Sequence, residues 1–305
     1  MSWQGDQATR LRQMAANRAA VGLKLAAQPP PPGLRMEGAA RVVAVAGGKG
    51  GVGKSTLAAN IGIALAQRKL RVLLLDADLG LGNADLLLGI TPHATLVDLW
   101  DATCPTEQVI TPGPAGIGVI AGASGLAELA RTPPGRVQQL VARLSEVDRQ
   151  YDLFLLDVGA GIGEQVLAFT LSSDLLMVVT TPEPTALMDA YSLIKAWHLA
   201  GGTGSVQVVA NMVRNAQEGE DTFDRLQTVS RRFLGRGLSY LGSVQADPSV
   251  PQSVRLQQPV MLAFPNSRAA WEIRQVAARL LGQSPGPGRG FGAMLLHTWD
   301  RLRGC

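Results

Sequence analysis

The stretch most able to do chemistry is Gly48-Lys49-Gly50-Gly51-Val52-Gly53-Lys54-Ser55, followed by Thr56. It fits G-x-x-x-x-G-K-[ST], and it lies between an apolar run read as a strand and a periodic run read as a helix. Glycines let consecutive backbone N–H groups turn inward around phosphate oxygens, and the helix N-terminus adds partial positive charge. Lys54 then reaches the β- and γ-phosphates, and Ser55 can ligate Mg²⁺. The loop, with Val52 and Thr56, is the expected nucleotide-binding segment. Lys49 is one lysine more than such a loop needs.

Acidic residues end two further apolar runs. "LLLDADLGLGN" carries Asp76 and Asp78, and "LFLLDVGAG" carries Asp157 with Gly159 two residues on. Ligands of open parallel sheets sit at the carboxyl ends of the strands, so these side chains should face the phosphates. Asp157 is expected to hold the metal through water and Gly159 to sense the γ-phosphate. Asp78 is expected to orient the attacking water. Asp76 stands in the metal set, with capping of the following loop as its alternative role.

Seven apolar runs of β type position these residues: 42–46, 71–76, 118–120, 153–157, 175–180, 206–211 and 238–242. Helical periodicity fills several gaps, as in Leu57, Ile61, Ala64 and Leu65. Buried strands alternating with amphipathic helices predict an α/β fold, a mostly parallel twisted sheet with helices on both faces. Two Pro/Gly-rich stretches divide the chain. The expected segments are an N-terminal element (1–27), a linker (28–40), the nucleotide domain (41–282), a second linker (283–289) and a last helix (290–305).

Composition narrows the function. The 305 residues carry 28 basic and 24 acidic side chains, but residues 42–282 hold 19 basic against 21 acidic. The basic excess therefore lies in the two extensions, which argues against a DNA-binding body. Cys104 and Cys305 form no metal-ligand spacing, and the three histidines are scattered, so a disulfide framework, zinc site or cluster site is not expected. No apolar run is long enough to span a bilayer and the polar start is no signal peptide. A cytoplasmic protein is expected.

A lysine two residues into the loop, in "KGGVGK", resembles the deviant Walker A signature of the MinD/ParA class of ATPases. The resemblance implies slow, regulatory ATP hydrolysis with Mg²⁺, and an ATP-dependent homodimer in which Lys49 reaches the partner's nucleotide. Asn211 matches the class's adenine-contacting asparagine. Gln245 stands where relatives usually carry proline, and Val158 replaces the commoner threonine.

The stretches 76–90, 181–195 and 241–260 are similar to the MinD-like flagellar-number ATPases, the FlhG/FleN group. "DQATRLR" (Asp6, Gln7, Ala8, Leu11, Arg12) resembles that group's element for stimulating a partner GTPase of the FlhF type. The resemblance also implies a flagellar transcriptional activator or switch-complex protein as partner. The last helix, with Phe291, Met294, Leu295, Trp299 and Leu302 at helical spacing, is similar to the group's membrane-targeting helix; packing of the stripe against the body as an ordinary last helix is the alternative. The similarity implies peripheral binding to an anionic cytoplasmic membrane in the ATP state. Helix residues Asp189 and Lys195 either meet a partner or form a solvated face. Division-site placement of the MinD type and DNA segregation of the ParA type are the alternatives. A cluster carrier of the nitrogenase-reductase type would need paired cysteines.

Overall fold

A computed structural model describes residues 40–78, 82–95, 98, 104–121, 133–282 and 288–303. The strands are β1 (Arg41–Gly47), β2 (Val72–Ala77), β3 (Thr111–Pro112), β4 (Gly118–Ile120), β5 (Leu153–Ala160), β6 (Leu175–Thr180), β7 (Ser205–Val213) and β8 (Ser239–Gln245). The helices are α1 (Lys54–Ala66), α2 (Ala84–Leu88), α3 (Thr106–Val109), α4 (Pro134–Asp148), α5 (Glu164–Ser172) and α6 (Pro184–Leu199). After them come α7 (Ala216–Leu234), α8 (Ser249–Arg255), α9 (Val260–Ala263), α10 (Arg268–Gly282) and α11 (Phe291–Arg303).

One sheet runs in the order β3-β4-β2-β5-β1-β6-β7-β8, parallel throughout except for β3 against β4. Each of the seven apolar runs is a strand, as expected. The eighth strand, β3, is two residues long, and so short an edge piece leaves no alternation to read.

Period-two geometry divides the core. Val42, Ala44 and Ala46 point to one face with Phe154 and Leu156, whereas Val43 and Val45 point to the other with Leu155. Helices α1 and α10 cover the second face. Helices α4, α5, α6 and α11 cover the first. β1, at the centre with β5 and β6 on either side, is buried along its whole length, so the phosphate loop springs from the middle of the sheet.

The last helix takes the second of its two expected roles and packs against the body. Phe291, Met294 and Leu295 are fully buried and Trp299 nearly so, against α4, α5 and the sheet. Leu302 is half-buried. The Phe291 ring stacks on Phe154 at 4.9 Å between centroids. Asp148 of α4 accepts hydrogen bonds from the backbone N–H groups of Phe291 and Gly292, capping the helix. Asp174 accepts from Arg289 N–H and, on the same Oδ2, from Val42 N–H. Phe291, Met294, Leu295 and Trp299 thus belong to the core in this structure. An apolar stripe has the same spacing whether it meets lipid or a sheet, and here the face carrying Phe154 needed covering. The last two residues of the expected linker, Gly288 and Arg289, belong to this docked segment, since Gly290 N–H bonds the Ala40 carbonyl. Residues 283–287 and the N-terminal element with Asp6, Gln7, Ala8, Leu11 and Arg12 lie outside the described residues.

Candidate nucleotide site

The loop from Gly48 to Gly53 joins β1 to α1 as the spacing predicts. Gly51 (φ +80°) and Gly53 (φ +88°) adopt left-handed backbone that only glycine holds at low cost. A Cβ on Gly48 would collide with the Asp189 carbonyl of α6, so that glycine permits the close seating of a helix. Gly50 and Gly51 face open space. No other group therefore crowds the loop at these two glycines. Val52 is buried, and its carbonyl accepts 2.8 Å from the Asn211 side-chain amide. Asn211 thus braces the loop from β7.

Beneath the loop the charges are concentrated. Lys54 is buried at the start of α1. Asp157, 2 % exposed, accepts from the Ser55 hydroxyl, and its Oδ1 has no hydrogen-bond partner. Burial pushes this carboxyl up to about 7, against the opposing pull of the Ser55 hydrogen bond and the Lys54 charge. An orphaned buried carboxylate oxygen beside a serine hydroxyl is a place built for a cation. Among the described residues no cluster of three His, Cys, Asp or Glu side chains could hold a metal alone. That suits Mg²⁺, which keeps waters and borrows phosphate oxygens rather than requiring an all-protein cage.

Asp76 resolves toward its alternative. It is buried, Oδ1 accepts from Asp78 N–H and Oδ2 from Ala84 N–H, 3.1 Å each. Burial raises its pKa, partly offset by those backbone hydrogen bonds. A Cβ on Gly82 would meet Asp76 at 2.7 Å, so the loop is wrapped closely around this carboxylate. Asp76 thus caps the loop that follows β2. Asp78 lies beside Gly159, with its Oδ1 3.4 Å from where a Cβ on Gly159 would stand. These two, with Val158, Glu164 and Gln165, line a cavity of about 380 Å³ next to the Asp157 end of the site. Val158 itself is buried and pairs with Ala77.

Lys49 points elsewhere. Its Nζ donates to Glu183 Oε2 at 2.9 Å and Thr185 Oγ1 at 3.1 Å, at the start of α6. Both partners lie in the stretch 181–195, but more than 130 residues from Lys49, so the pairing could not be read from the sequence. It also missed Glu272, whose buried carboxylate binds both the backbone and the side chain of Gln245. A buried glutamate on an amphipathic helix was the one available signal.

Residues 38–281 match the ParA family, described as "NUBPL iron-transfer P-loop NTPase". The antiactivator FleN of Pseudomonas aeruginosa is 39% identical over 240 residues, covering 79% of this chain and 86% of that one. The flagellum site-determining protein YlxH of Helicobacter pylori is 30% identical over 248 residues, covering 81% and 84%. The fold is similar to that of the septum site-determining protein MinD from Pyrococcus horikoshii complexed with Mg-ADP. That likeness has a TM-score of 0.64 at 23% identity over 80% of this chain and 98% of that one. With the glycine loop, the buried lysine and the paired serine and aspartate in place, the chain belongs to the ParA family of P-loop NTPases, of the MinD and FleN type.

Proposed function

We propose that the protein is an ATP-dependent dimerising switch that regulates flagellar number or placement. The observation that carries the reading is the disposition of the two lysines. Lys54 is buried against Asp157, whereas Lys49 is held by Glu183 and Thr185 and so does not serve its own loop. A cation at the rim of a phosphate site, 41 % exposed, is available to a nucleotide in a second copy of the chain.

The chemistry follows from the residues. Backbone N–H groups of Gly50 to Ser55 cradle the phosphates, and Lys54 neutralises charge on the β- and γ-phosphates. Mg²⁺, on Ser55 and through water on Asp157, would supply electrostatic stabilisation of the transferring phosphoryl group. Asp78 orients a water for attack on the γ-phosphorus. The water O–P bond forms, the bond to the ADP oxygen breaks, and the water's proton leaves toward the Asp78 carboxylate. Gly159, against Asp78, registers the γ-phosphate. Lys49 from the partner adds the last positive charge, so hydrolysis requires two loaded chains. Asn211 contacts the base while it braces Val52.

The partner readings rest on the resemblance to FlhG/FleN. Residues 6–12 stimulate a GTPase of the FlhF type, and a flagellar transcriptional activator or switch-complex protein senses the dimer. Peripheral membrane binding from the cytoplasm requires α11 to leave its seat, because its apolar side is buried. Pelleting with anionic vesicles in ATP but not ADP supports that step, and equal pelleting in both removes it.

Sedimentation of an Asp78→Ala variant tests the whole reading. It should be dimeric when saturated with ATP and Mg²⁺ and monomeric with ADP. A monomer under both conditions overturns the proposal.

A further inference from the structure

The end of the site away from Asp157 holds an arrangement that phosphate binding does not use. Asp157 lies on β5 and Asp78 directly after the end of β2, both to one side of β1, so the γ end of a bound triphosphate points that way. The nucleoside end must then lie toward the ends of β7 and β8. There the β7–β8 register shifts: Asn211 pairs with Val244 and Val213 with Gln245, leaving Met212 between them as a bulge. Met212 has φ +57°, a left-handed conformation that an unbranched side chain adopts only when its surroundings impose it. Its side chain is turned out to 46 % exposure, and its Cε lies 3.6 Å from where a Cβ on Gly53 would stand. An exposed apolar side chain, in strained backbone, therefore borders the last glycine of the phosphate loop.

What imposes the bulge is visible on β8. Gln245 donates twice to the buried carboxylate of Glu272: its backbone N–H to Oε2 at 2.6 Å and its side-chain amide to Oε1 at 2.9 Å. Arg268 also donates to Oε1, at 2.7 Å. Two residues on, Asp247 accepts from Ala269 N–H at 3.0 Å and from Ser249 N–H at 2.8 Å. The segment 245–249 is thus tied at two points to the first turns of α10. Ala246 N–H bonds the Val213 carbonyl, which transmits that fixed position to β7. With Val213 held against Gln245, the extra residue has to loop out, and it loops toward the nucleotide.

We infer that Met212 is the residue on which the nucleobase packs, and that Glu272, acting through Gln245, is the positioning residue that holds it there. The inference rests on the nucleotide reading of the loop. A thioether side chain suits a flat polarisable ring and makes favourable sulfur–aromatic contact. A proline at 245 would lack the N–H that Glu272 binds, so glutamine at this position and the buried glutamate are one device.

Calorimetric titration with Mg-ADP and, separately, with Mg-pyrophosphate tests this, since pyrophosphate has no base. Met212→Gly removes the platform and at the same time relieves the left-handed backbone, so folding stability should hold or rise. It should weaken ADP about 5- to 10-fold, the scale expected for losing a half-buried methionine contact, and leave pyrophosphate unchanged. Met212→Asn, whose side chain also tolerates left-handed backbone, should do the same. Glu272→Gln should lower the ADP-to-pyrophosphate affinity ratio by twofold or more. ADP bound as tightly by both Met212 variants as by the parent overturns the inference, as does an equal loss for ADP and pyrophosphate. A parent protein that binds neither ligand overturns the nucleotide reading itself, and this inference with it.

Discussion

Replacing Phe291 with alanine separates two accounts of the C-terminal helix. In the structure the Phe291 side chain is 0 % exposed, its ring is stacked on Phe154, and its N–H is one of the two capped by Asp148. Phe→Ala at such a position leaves a cavity that neighbours fill only in part, at a cost of about 3–5 kcal/mol. The aromatic pair contributes about 0.5–1.5 kcal/mol within that sum. For a domain of this size each kcal/mol lowers Tm by about 2–4 °C, so the midpoint should fall by roughly 6–20 °C. Thermal unfolding followed by circular dichroism measures this directly, with Leu302→Ala, half-buried at the other end of the helix, as a control expected to cost far less. If α11 instead floated free as a lipid-seeking segment, Phe291→Ala would leave Tm unchanged and lower vesicle binding. A shift of less than about 2 °C refutes the docked helix and the energetics drawn from it.

Glu183→Gln should lower Tm by no more than about 4 °C, because an exposed ion pair is worth about 0–1 kcal/mol. It should nonetheless free Lys49 and tighten the ATP-dependent dimer by up to about fivefold, as sedimentation equilibrium would record. A weaker dimer would show that Glu183 serves the interface instead. Tyr151 is pushed up to about 12 by burial, with Arg71 pulling slightly the other way. The native state keeps this proton while the unfolded chain releases it near 10, so stability declines as pH rises from about 10 to 12. In an ultraviolet titration, Tyr151 should ionise late and together with unfolding, a signal that Tyr151→Phe removes; ionisation of Tyr151 near pH 10 in folded protein contradicts the buried placement.

The phosphate site was legible because its chemistry is local. The loop's glycines, Lys54 and Ser55 fall within eight residues, and their strand and helix were signalled by adjacent apolar periodicity. The placement of Asp157 beside Ser55 and of Asp78 beside Gly159 could be read as well, since a carboxylate at the end of a buried parallel strand has one natural place to point. Asp76 could not be separated from Asp78 with certainty. Both end the same strand, and only the return of Gly82 and Ala84 around the Asp76 carboxylate distinguishes a cap from a ligand.

The amino-acid order by itself determined the parallel α/β sheet and the cradle, because strand period, helix period and glycine placement are properties of consecutive residues. Tertiary structure alone decided where the unattached groups go. It gave Lys49 to Glu183 and Thr185 across more than 130 positions, tied Gln245 to Glu272 and so turned Met212 outward, and seated α11 on Phe154. Spacing tells how far apart two side chains lie along one element, but not which distant carboxylate or bare sheet face will be opposite them once the chain has closed on itself.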